Sequence, residues 1–132
     1  MEDRSTEAPT EIAAQADLWA YADPSIAAID LHGYSIEARD GAIGRIDRVS
    51  DEFDARYVVV DTGPWLLGKK VLLPAGVIER IDPDTETVLV DRTKDEIRNA
   101  PPFDESTQPG ELYRTELGDY YIGRRRLGPG QL

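Results

Sequence analysis

The chain has 132 residues, with 26 acidic and 15 basic side chains and a formal net charge of −11, which is room for one hydrophobic core with tails. The acidic excess excludes nucleic acid and anionic membranes as expected partners, because phosphate affinity comes largely from Lys and Arg. With no cysteine and one histidine, His32, disulfides, thiol catalysis and His-rich metal centres are excluded, so no cofactor is expected.

No apolar run approaches the roughly 18 to 20 residues that cross a bilayer, and no basic-then-apolar leader opens the chain, so the expectation is a cytoplasmic protein without membrane insertion. Residues 1–10, MEDRSTEAPT, are polar and aperiodic and read as a flexible tail. Over residues 11–30, Ile12, Ala16, Trp19 and Ala20 recur at helical spacing after Thr10, and Asp23-Pro24-Ser25 is able to cap a further turn through Ile29.

The period then changes to two. Tyr34, Ile36 and Ala38 alternate with polar residues up to Asp40-Gly41, which predicts a two-residue hairpin turn with positive φ angles. In the returning strand, residues 42–50, the spacing of Ile43, Ile46 and Val49 breaks the alternation, and Gly44 marks a bulge or sharp bend. Residues 56–61, RYVVVD, predict a central strand with no wet face.

After Thr62-Gly63-Pro64, the loop Trp65-Leu66-Leu67-Gly68-Lys69-Lys70 feeds a strand over residues 71–73, which Pro74 and Gly76 end. A short segment at Val77, Ile78 and Ile81 precedes the turn at Asp82-Pro83-Asp84, and residues 87–91 form the last strand. Thr93-Lys94-Asp95-Glu96 predicts a capping box for a helix running to about Asn99, stopped by Pro101-Pro102. Leu112, Tyr113, Leu117, Tyr120, Tyr121 and Ile122 read as fitting neither period, so residues 105–132 are expected to be a turn-rich extension clasping the barrel or a second subunit. The fold class is mainly β: a small barrel of about six short strands with short flanking α-helices.

The stretches 33–38 (GYSIEA), 57–63 (YVVVDTG), 68–74 (GKKVLLP) and 88–94 (VLVDRTK), closed by Ala100-Pro101, resemble the PRC-barrel domain over residues 31–104. That family takes its name from the cytoplasmic domain of the photosynthetic reaction-centre H subunit. A related barrel forms the C-terminal half of a ribosome maturation factor that binds a small-subunit protein. The resemblance implies a barrel that docks on other proteins, often without catalysis. Residues 1–132 show no counterpart of the H subunit's membrane helix or of the maturation factor's N-terminal barrel, so the expectation is a protein more like the free-standing members, many of which pair.

The expected function is therefore a non-catalytic adaptor, a homodimer that docks a protein partner through Trp65, Leu66 and Leu67, with Lys69 and Lys70 setting electrostatic register. Against this stands a Trp65 that merely plugs one barrel end. The alternative function is an auxiliary subunit of an electron-transfer or ribosome-assembly complex; a small hydrolase or ligand carrier is a third class. Asp61 and Asp91 each end a strand but lack the ligand spacing of a cation site. His32 reads as a turn histidine and Arg124-Arg125-Arg126 as solvated charge.

Overall fold

The computed structural model describes residues 16–21, 26, 29–50, 55–104 and 109–126. The expected tail, most of the N-terminal helical segment and the side chains of Arg124, Arg125 and Arg126 lie outside these residues. Six strands follow in order: β1 (Ser35–Ala38), β2 (Gly41–Val49), β3 (Tyr57–Asp61), β4 (Lys70–Pro74), β5 (Ile78–Asp82) and β6 (Thr87–Val90). Helices α1 (Lys94–Arg98) and α2 (Glu111–Arg126) complete the set. The strands make one sheet in the order β4-β3-β2-β1-β6-β5, in which β1 and β6 run parallel and every other pair antiparallel. β4 and β5 stand at its two ends and are joined by a single 3-10 turn, Ala75–Val77.

β2 bends because it carries one surplus residue against each neighbour. Ile36 faces Gly44 while Glu37 faces Ala42, leaving Ile43 unmatched; Ile46 faces Val60 while Arg48 faces Val59, leaving Asp47 unmatched. Each bulge sharpens the local twist and curls the sheet round its apolar face. Ile36, Ile43, Ile46, Leu73, Val88 and Val90 meet inside that curl. The expected central strand is β3, where Tyr57, Val58, Val59 and Val60 are all buried.

The hairpin lies where Asp40-Gly41 places it, with different turn chemistry. Arg39 and Asp40 form the turn and Ala38 pairs with Gly41, so the positive φ, +144°, falls on Gly41 as the first residue of β2. Asp40 also ties the hairpin to α1, since its carboxylate accepts from the Lys94 N–H at 2.9 Å. The capping box is present, with the Glu96 N–H donating to Thr93 Oγ1 at 3.2 Å and the Thr93 N–H donating to the Glu96 carboxylate at 2.8 Å.

Both flanks pack on their own barrel. Leu18 and Trp19 are buried in the core, the Arg56 N–H donates to the Trp19 carbonyl at 2.9 Å, and the Trp19 and Tyr57 rings meet edge to face at 6.3 Å. Within the expected turn-rich extension of residues 105–132, Glu111–Arg126 correct the sequence reading, because they form a 16-residue helix. Tyr113, Leu117, Tyr120 and Tyr121 lie at i, i+4, i+7 and i+8 and form one face. Leu112, 83% exposed, is out of phase with that face, and Gly118 and Gly123 weaken helix propensity, which conceals the period. Leu117, Tyr121 and Ile122 enter the core. Arg92, only 3% exposed, holds the helix down by donating to the Tyr121 carbonyl at 3.3 Å and setting its guanidinium 5.5 Å from the Tyr121 ring.

Candidate functional site

The β3–β4 loop is built to hold one shape. Thr62 is buried and its hydroxyl donates to the Lys69 carbonyl at 2.7 Å, while the Gly63 N–H donates to the Asp61 carboxylate at 3.0 Å. Turn bonds from the Trp65 N–H to the Thr62 carbonyl (3.2 Å) and from the Lys69 N–H to the Leu66 carbonyl (3.1 Å) close the interior. Gly63, Leu67 and Gly68 take φ values of +57°, +57° and +80°. For the two glycines this conformation is free; for Leu67 it carries a steric cost.

This frame separates the predicted docking residues. Trp65 is half-buried against the core, with Lys94 Nζ 5.4 Å and Arg98 Cζ 5.5 Å from its ring centroid. It therefore fills the space between its loop and α1 with two cation–π contacts, as a half-buried side chain between the expected exposed anchor and the expected plug. Leu67 is 90% exposed and carries the loop's apolar tip to solvent. Leu66, Lys69 and Lys70 line a cavity of about 480 Å³.

The floor of that cavity is apolar, formed chiefly by Leu66, Leu72, Ile97, Ala100, Phe103 and Tyr121. Three cations, Lys69, Lys70 and Arg98, complete the wall with no carboxylate among the lining residues. Lys70 Nζ stands 3.9 Å from Asp47, and Arg98 donates to Asp95 at 3.1 Å; both acids lie outside the cavity lining. Burial pushes the Tyr121 phenol far above its ordinary value, which keeps it neutral.

Sequence reasoning missed the part of this wall supplied by α1, α2 and the segment between them. Tyr120 donates to the Glu96 carbonyl at 2.6 Å and Tyr113 to the Pro101 carbonyl at 3.2 Å, and these bonds set α2 beside α1. The available signal was the i, i+4, i+7, i+8 run of Tyr113 to Tyr121. His32 is exposed at the turn before β1. Asp91 pairs with Arg39 and lies 3.6 Å from Arg92, so its carboxylate serves a structural cluster. Among the described residues no group of three or more acidic or histidine side chains converges as a metal site, and no helix is long and apolar enough to cross a membrane.

The PRC-barrel domain family model matches residues 25–97, beginning before and ending before the expected range of 31–104. No curated protein matches the chain. Among solved structures, the chain is similar to the 16S ribosomal RNA processing protein RimM of Pseudomonas aeruginosa, with 25% identity and a TM-score of 0.43, covering 49% of this chain. The match spans 42% of that protein's length. With the family model covering more than half of its residues, this chain belongs to the PRC-barrel family.

Proposed function

We propose that this chain is a non-catalytic docking module that binds a protein partner, and a second copy of itself, through the face made by the β3–β4 loop and the adjoining cavity. The observation that carries this reading is Leu67, a large apolar side chain 90% exposed in a left-handed backbone conformation. Neither feature helps the isolated fold, since the side chain buries little and the conformation costs about 1 kcal/mol or more. Strain held at an exposed apolar tip fits a contact made with another molecule.

Leu67→Asp is expected to convert a dimer to a monomer in light scattering with the thermal transition unchanged. A wild type that is monomeric at every concentration, or a variant with undiminished self-association, ends the pairing part of the reading. Leu67 is the residue to replace because Trp65→Asp would also break the packing against α1.

Family membership favours a second, more specific reading, an auxiliary role in a ribosome-assembly complex. The net charge of −11 directs such a module to a basic protein of the particle and away from its RNA. Co-sedimentation with small-subunit precursors on a sucrose gradient tests this; a protein that stays at the top of the gradient argues against it.

A further inference from the structure

We infer that the cavity beside the β3–β4 loop receives an acidic peptide bearing one large apolar anchor residue. This rests on the docking reading and names the chemistry of the partner segment. The argument begins with charge. A chain with 26 acids and 15 bases builds this wall with three cations, Lys69, Lys70 and Arg98, and no acid. The cations come from two places, the adjacent Lys69 and Lys70 where the loop enters β4, and Arg98 on α1, so the positive sign is built from segments far apart in the sequence. Arg98 and Lys70 have acids near them outside the cavity, but solvent-screened pairs of this kind are weak and exchange readily for a second carboxylate. Lys69, which also lines the cavity, is exposed.

The floor defines the anchor. Leu66, Leu72, Ile97 and Phe103, with the neutral Tyr121 beside them, offer a surface without a charged group, and about 480 Å³ lies within the range in which concave sites enclose ligands. One Leu or Phe side chain with its flanking backbone suits such a space. Leu67, next in sequence to the lining residue Leu66, is 90% exposed and does not line the cavity, so a small molecule seated inside would leave it uncovered. A peptide continues past the mouth, placing its carboxylates against the rim and the protein behind it on the loop.

The test uses the full chain and three fluorescein-labelled peptides read by anisotropy: DDELFEDD, the anchorless DDEGSEDD and the charge-inverted KKKLFKKK. The first is expected to bind at least about tenfold more tightly than either control, a preference of about 1.4 kcal/mol. Its affinity should fall as salt is raised from about 0.05 to 0.5 M, which shortens the screening length. Lys69→Glu, at an exposed position, should weaken it at least about fivefold with melting unchanged, and Arg98→Glu should weaken it as much while also lowering the melting temperature through the lost contacts to Trp65 and Asp95. Ala100→Phe, which fills the cavity, should also abolish binding. Equal affinity for the anchorless or inverted peptide, indifference to both charge reversals, or no binding of the first peptide overturns the assignment. Dimer loss on Leu67→Asp alongside failed peptide binding leaves the docking face standing and removes only the acidic occupant.

Discussion

Asp61 leaves no room for a side chain on Gly44: a Cβ there would stand 2.0 Å from the Asp61 carbonyl oxygen. Gly44 sits at φ +154°, beside the surplus residue where β2 crosses from β1 to β3. Gly44→Ala is therefore expected to force the two strands apart and cost on the order of 3 kcal/mol. Urea titration checks this; an unaltered midpoint would mean that the strands separate without penalty.

Gly76 has the same relation to the N-terminal flank. A Cβ at this position would lie 2.6 Å from both the Leu18 Cα and the Leu18 carbonyl oxygen. Gly76→Val should release Leu18 and Trp19 from the barrel, losing roughly 2 to 4 kcal/mol of buried apolar surface. In a Trp65→Phe background the emission then comes from Trp19 alone, and it should shift to the red while the sheet's circular dichroism persists.

The reciprocal bonds of Thr93 and Glu96 satisfy two backbone donors at the start of α1. Thr93→Ala should cost about 1 kcal/mol in a denaturant titration. Because α1 carries Lys94 and Arg98 against Trp65, the same variant should raise the accessibility of Trp65 to a quencher.

Alkali should loosen α2. Burial first, and then the adjacent Tyr120, raise the Tyr121 phenol above its ordinary value of 10, against an opposing pull from Arg92. Tyr113 is shifted upward as well, chiefly by burial. Above about pH 10 the unfolded chain releases these protons while the folded chain retains them, so stability is full below that pH and falls as pH rises towards the folded-state values. Tyr121→Phe should flatten the decline of melting temperature between about pH 10 and 11.5. An equal slope in the variant would assign the effect to other groups.

What could be read from the sequence was local chemistry. Asp40-Gly41, Gly44 and the Thr93–Glu96 box each act within a few residues, and the structure places a turn, a bulge and a helix start at them. Even there, the site of positive φ shifted to Gly41 because a type of turn is set by strand twist as well as by residue preference. The fate of Trp65 depended on Lys94 and Arg98, some thirty positions later, and no local rule joins them. The burial of Arg92 likewise depended on α2, whose own face was masked by Leu112 and two glycines. The cavity was visible only through Leu66, Lys69 and Lys70, because its opposite side is assembled from the segments that follow β6.

The parallel ladder between β1 and β6 pairs Ser35 with Thr87 and Ile36 with Val88. A nascent polypeptide emerging from its N-terminus thus presents the outer edge of β1 for as long as it takes to make the intervening fifty or so residues. Any truncation before Thr87 would keep that edge bare and open to strand exchange between molecules. Maturation of the fold is in this sense a late event, decided by the last strand to leave the machinery that synthesises it.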